Sequence, residues 1–215
     1  MRNLHRLPKP YILTNKENEW LQKLYDSGKN RPDSTKYGNR NIRLQLNTIS
    51  HYKCYYCESI LKNVPSEIDH FIEVSIDLGK SYEWENLYLA CDNCNNKIDH
   101  NTINVNTVLN PFVDSDVEIQ THITFEDEFI RIKNNSDKGR RTIEKFRLSS
   151  PLLDHKRVSQ LKNFYKVITE INKKQIADAG RGLTEDEKEL IISFSNIDRP
   201  YSLMFKILLE KNNFL

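Results

Sequence analysis

The chain has 215 residues, enough for one sizeable domain or two small ones. Its 29% charged residues and the lack of any apolar run of bilayer length exclude a membrane-spanning helix. Residues 1–11 carry no apolar stretch of the signal-peptide kind, so a cytoplasmic location is the expectation. In that compartment disulfides are disfavoured, and the four cysteines point to metal instead. The net charge of +2 conceals segregation. Residues 82–128 hold one Lys/Arg against ten Asp/Glu, a net of −9, whereas residues 131–181 hold fourteen against five, a net of +9. Such a basic segment either faces water or meets nucleic acid or an acidic partner, and charge alone does not choose.

In chain order, Pro8 and Pro10 mark an extended lead. A helix is expected over 15–27, with Trp20, Leu21, Leu24 and Tyr25 on its core face. After a polar loop (28–34), Ile42, Leu46 and Ile49 recur at helical spacing within a second helix over 35–50. Residues 51–100 form a unit considered below. Alternation through Ile119, Thr121, Ile123 and Phe125, then Phe129 and Ile130 beyond Glu126-Asp127-Glu128, predicts a hairpin between 116 and 132. A short helix is expected over 142–148. Ser150-Pro151 then supplies an N-cap and first-turn proline for a helix to about Ile176, with Leu161, Phe164, Tyr165, Ile168 and Ile171 as its apolar stripe. Gly180 and Gly182 break it. Thr184 and Glu187 form a capping box for a helix to about Ser195, and a last helix follows Pro200.

Two Cys-x-x-Cys pairs, Cys54/Cys57 and Cys91/Cys94, are the strongest signal. Each pair lets two sulfurs converge on one ion, and together they supply the tetrahedral thiolate set of zinc. With four thiolates the site is closed, hence structural. Its binding free energy, on the order of 10–16 kcal/mol in comparable peptides, would hold a unit too small to make its own core. The 33 residues between the pairs are too many for a simple ribbon, and a two-stranded hairpin would fill them.

Inside that gap Glu67-Ile68-Asp69-His70 alternates like a strand, with Ile68 expected toward the core and Asp69 on the opposite face. A His beside a carboxylate is a general-base candidate if another group fixes its tautomer. Asn86 precedes a second apolar stretch, Leu87 to Ala90, and a helix from Asp92 would carry Asn95 and Asn96 toward the hairpin. The other histidines attract little weight; Asp99-His100 reads first as a solvated helix terminus and only as a fallback source of a metal ligand.

This layout resembles the HNH endonucleases of the zinc-bearing ββα-metal subclass. In that family a His comes from the first strand, an Asn from the connecting loop and a His or Asn from the helix. The resemblance implies that Asp69-His70 are the strand pair, Asn86 the loop Asn and Asn95 the helix position. One departure stands out: a Lys commonly falls three residues beyond that helix position, and here Lys97 falls two beyond, so Asn96 is an alternative to Asn95. Softer features over most of the chain are similar to HNH proteins of Septu-type antiviral defence systems, which operate with a partner ATPase. These are Met1-Arg2-Asn3-Leu4, Pro8, Pro10, Trp20, Leu109-Asn110-Pro111, and residues 135–148 with Gly139 and Thr142-Ile143.

The expected fold is therefore α+β and mainly helical. A zinc-bearing ββα-metal unit (51–110) lies between an N-terminal helical region (1–50) and a hairpin with basic C-terminal helices (111–215). The resemblance implies phosphodiester hydrolysis of nucleic acid, DNA first and tRNA or other RNA second. His70 would be the base, Asn86 would orient it, and Asp69 with Asn95 would hold Mg²⁺ or Mn²⁺. Two other readings stay open: a zinc-stabilised binding module without catalysis, and a stand-alone restriction or homing-type nuclease.

Overall fold

The computed structural model describes all 215 residues. The elements are α1 (Tyr11–Asp26), α2 (Ser34–Tyr37), α3 (Arg40–Ile49), β1 (Glu67–His70), β2 (Leu87–Ala90), α4 (Asp92–Asn95), α5 (Asp116–His122), β3 (Ile123–Glu126), β4 (Phe129–Ile132), α6 (Asp137–Lys145), α7 (Pro151–Ala177), α8 (Glu185–Ile192) and α9 (Ser202–Lys211). The α+β, mainly helical class holds. Both sheets are antiparallel two-stranded ribbons, β1 with β2 and β3 with β4.

Two short ribbons cannot bury two faces alone, so the helices supply the cover. In α3 the turn-spaced Ile42, Leu46 and Ile49 are buried, and Arg43 donates to the Ser66 carbonyl at 2.8 Å just ahead of β1. The extended lead does the same for β2. The Arg6 guanidinium donates to the Leu87 and Glu85 carbonyls at 2.7 and 2.8 Å and lies 3.7 Å from the Phe112 ring centre. The Trp84 indole donates to the Leu7 carbonyl. On the far side α7 buries Leu153, Arg157, Leu161, Phe164 and Ile171, and Phe164 packs against Phe205 of α9. One contiguous apolar cluster runs from Met1 to Leu209, through the segments before, within and after the cysteine unit.

Several local expectations shift. Helix α1 starts at Tyr11, directly after Pro10, and its Tyr25 is half exposed rather than on the core face. Tyr165 of α7 is likewise exposed. The first half of the expected hairpin is α5: Ser115 Oγ accepts from the Glu118 amide at 3.1 Å, capping a helix over residues that alternate by coincidence. The hairpin keeps only 123–132, in the register Ile123 opposite Ile132. Helix α6 begins five residues before Thr142, capped by Ser136, because Gly139 lets it close on α5. A Cβ there would lie 2.2 Å from the His122 carbonyl oxygen. No helix is long and apolar enough to cross a membrane.

Candidate active site

Cys54 and Cys57 occupy a turn between α3 and β1, and Cys91 is the N-cap residue of α4, with Cys94 inside it. The Tyr55 amide donates to the Leu89 carbonyl at 2.9 Å, tying the first turn to β2. All four sulfurs are buried and lie within 4.8 Å of one another. Cys57 Sγ and Cys91 Sγ are 3.7 Å apart, against about 3.8 Å expected across a zinc tetrahedron with 2.3 Å bonds. The donor set fits a closed zinc site. Outside the sulfurs, Ser59 Oγ stands 3.1 Å from Cys57 Sγ and 2.8 Å from the Tyr201 hydroxyl, which couples the cage to the residue preceding α9.

The expected hairpin fills the gap between the pairs. Strands β1 and β2 pair with Asp69 opposite Tyr88 and His70 opposite Leu87. Because side chains alternate along a strand, Asp69 and His70 face opposite ways. His70 faces a cavity of about 730 Å³, lined also by Asn30, Arg31, Tyr37, Glu73 and Leu78. Its ring meets Tyr37 edge-on at 4.8 Å. Nε2 lies 2.9 Å from the Ser81 carbonyl oxygen. A carbonyl can only accept, so the neutral ring carries its proton on Nε2 and leaves the Nδ1 lone pair free. Burial lowers the His70 pKa below the ordinary histidine value, outweighing the Ser81 hydrogen bond and Asp69, which raise it. The lowered pKa favours the neutral form of an oriented imidazole, the form a general base requires.

Asn86 secures the loop that supplies that carbonyl. Its Oδ1 accepts from the Ile72 amide at 2.7 Å, and its Nδ2 donates to the Ile72 and Lys80 carbonyls at 3.0 and 3.2 Å. The buried amide ties the loop's entry at Ile72 to its far limb at Lys80, one residue before Ser81.

Asp69 departs from expectation. It is buried, as Ile68 is, rather than on a face away from the core. The Lys97 ammonium donates to both carboxylate oxygens at 2.9 Å, and the Tyr56 hydroxyl donates to Oδ2 at 2.6 Å. Lys97 also reaches the His70 and Phe71 carbonyls at 2.5 and 3.2 Å. A second cation on this carboxylate would meet an ammonium already seated there. The Asp69–Asn95 pair as arranged therefore does not fit a divalent ion. Helix α4 is a single turn ending at Asn95, whose side chain makes no protein hydrogen bond, and Asn96 is its exposed C-cap. Lys97, noted in the sequence only for its offset, is the residue whose role sequence reasoning missed.

A cysteine-clamped ββα hairpin with a tautomer-fixed histidine defines a class, and residues 54–101 match the model of the HNH endonuclease family. The match covers that segment of the chain, the cysteine unit and its hairpin. Beyond that segment, the chain is similar to Septu protein PtuB of Bacillus mycoides (strain KBAB4), 28% identical over 212 residues covering 79% of this chain and 69% of that protein. It is also similar to Septu protein PtuB of Bacillus thuringiensis, 29% identical over 117 residues covering 54% of this chain. That second match spans 44% of the relative's own length.

Proposed function

We propose that this protein is an HNH endonuclease that hydrolyses phosphodiester bonds in nucleic acid, as the effector of an antiviral defence complex with a partner ATPase. The observation that carries the reading is the His70 ring, held through Nε2 by the Ser81 carbonyl with Nδ1 unpartnered beside the cavity. Nδ1 takes a proton from a water molecule. The resulting hydroxide attacks phosphorus in line as the bond to the leaving oxygen breaks, and solvent returns a proton to that oxygen. Lys97 fixes the His70 backbone through its carbonyl, and Asn86 fixes the loop that orients the ring. No step is assigned to a divalent ion at Asp69.

Charge supports a polyanionic substrate. Lys156, Lys162, Lys166 and Lys174 of α7 are exposed and free of ion pairs, and Arg31 on the cavity wall is unpaired as well. DNA is the first substrate to test and tRNA or other RNA the second. Similarity to proteins named for the Septu system supports the defence setting.

The test is cleavage of DNA and total RNA by the full chain recovered with its native partner. His70→Ala is expected to abolish cleavage while zinc content and the circular dichroism spectrum persist. Cleavage by that variant at the wild-type rate would remove the basis of the proposal. A second reading, a zinc-stabilised binding module, draws on the Asp69–Lys97 pair, which resembles a structural ion pair more than an ion seat. It predicts nucleic-acid binding without cleavage under any divalent ion.

A further inference from the structure

Two features of the His70 cavity have no partner inside the molecule. The first is a charge. Glu73 on the wall is engaged by the Lys145 ammonium and by His100 Nδ1, the latter at 3.4 Å, which leaves Arg31 as the unpaired charged group there. The second is an apolar strip. Tyr37, Val74, Ile76 and Leu78 line the same cavity, and Val74 and Ile76 belong neither to the core cluster nor to the apolar residues packed against it. Both features sit on backbone that is already fixed. The Glu73 carbonyl accepts from the Ile76 and Asp77 amides at 2.9 and 3.1 Å, and Asp77 Oδ1 accepts from the Gly79 amide at 2.9 Å. In the Arg31 loop, Pro32 restricts the chain and the Asp33 amide donates to the Tyr82 hydroxyl at 3.2 Å.

We propose that this cavity is a subsite for one unpaired nucleotide, its base against Tyr37, Val74, Ile76 and Leu78 and its phosphate toward Arg31 and His70. The substrate class is thereby single-stranded nucleic acid, or a nucleotide extruded from a duplex. The choice of ligand rests on the nuclease reading. Size agrees: about 730 Å³ falls within the range of roughly 300–1,000 Å³ typical of small-molecule sites, and a phosphate alone would leave most of it empty. Charge agrees as well, since a guanidinium with no carboxylate partner offers its fork to two phosphate oxygens. The apolar strip then decides between forms of nucleic acid. A duplex turns phosphates and sugars outward and keeps its base faces stacked, so it has nothing to lay on that strip. An unpaired base has a free face that packs on aromatic and apolar side chains whatever the sequence. Because the strip shares the cavity with His70, the base would lie beside the phosphate that the imidazole addresses. A continuous duplex must open before it can be cut there.

The experiment measures binding of short oligonucleotides to the zinc-loaded full chain by fluorescence anisotropy. Phosphorothioate linkages keep the strands whole, and one internal base is 2-aminopurine. Each strand is offered alone and annealed to its complement, at a salt concentration that suppresses purely electrostatic contact. The single strand is expected to bind at least about tenfold tighter than the duplex, with 2-aminopurine emission changing as the base enters the cavity. Ile76→Ser, at a position 44% exposed and outside the core, should lower single-strand affinity at least about fivefold and leave duplex affinity unchanged. Tyr37→Leu should do the same. Arg31→Gln should reduce the salt dependence of single-strand binding by about 0.7 of a unit of logarithmic slope. Equal affinity for the two forms would overturn the proposal. So would emission that wild-type binding leaves unaltered, or an equal loss on both forms with Ile76→Ser. Cleavage enters none of these readouts. A chain with the expected preference that never cuts an unmodified strand would retire the nuclease reading and keep the subsite, whereas one that cuts duplex yet fails the binding test would do the reverse.

Discussion

At the scale of single residues, the proposed mechanism makes His70 the group that sets the pH behaviour. Its pKa is lowered by burial, so the neutral base persists below the ordinary histidine value of about 6.5. The acid limb of a kcat/KM profile should therefore lie below pH 6.5, and a limb above it would contradict the placement of the ring. The same displacement bears on stability. The folded protein binds fewer protons than the unfolded chain over this interval. The contribution is fully present above about pH 6.5 and is lost as pH falls through the lowered folded value. Asn86→Ala leaves the Ile72 amide and two carbonyls without partners, at about 1–3 kcal/mol for each group left unsatisfied. Urea denaturation should register that loss, and the turnover rate should fall with it as the Ser81 carbonyl loosens.

Among the elements, the β1–β2 ribbon and the turn after α4 are joined by the Lys97 ammonium. Both side chains of the Asp69–Lys97 pair are almost inaccessible, so removing one partner strands a buried charge. Lys97→Met should cost about 3–5 kcal/mol, measured by denaturation, and Asp69→Asn rather less because the amide still accepts hydrogen bonds. Gly139→Ala should also destabilise, since its Cβ would press on backbone rather than on a yielding side chain. These elements also mark how far the sequence could be read. Cysteine spacing was legible because it is local, and the helical spacing in α3 was confirmed by burial of Ile42, Leu46 and Ile49. The α5 segment misled because Ile119, Thr121 and Ile123 alternate like a strand, although Ser115 three residues before Glu118 offered a cap signal. Lys97 over Asp69, and Glu73 opposite His100, were illegible because they depend on how one turn of α4 redirects the chain behind the ribbon.

For the molecule as a whole, charge and metal divide the labour. Helix α7 runs 27 residues, roughly 40 Å, with a row of lysines facing water. Replacing Lys162 and Lys166 with Glu should weaken nucleic-acid binding across sequences and flatten its salt dependence, by about one unit of slope for each phosphate no longer neutralised. Equal affinity for the double variant would mean that the basic face serves a protein partner. The four cysteines sit at both ends of the β1–β2 hairpin, and no long helix crosses that unit to replace them, α4 being one turn. Removing zinc with a strong chelator should expose the Tyr56, Phe71 and Tyr88 cluster and release the hairpin, which near-ultraviolet circular dichroism would follow.

The same four sulfur atoms are the chain's only thiols, and thiolates are the side chains that peroxide attacks first. An oxidative burst that expelled the ion would unfasten the ribbon and let the imidazole swing away from its carbonyl brace. The protein would then fall silent without any damage to its acid–base groups. Reductant and fresh zinc would be enough to wake it, provided that oxidation had stopped at the disulfide.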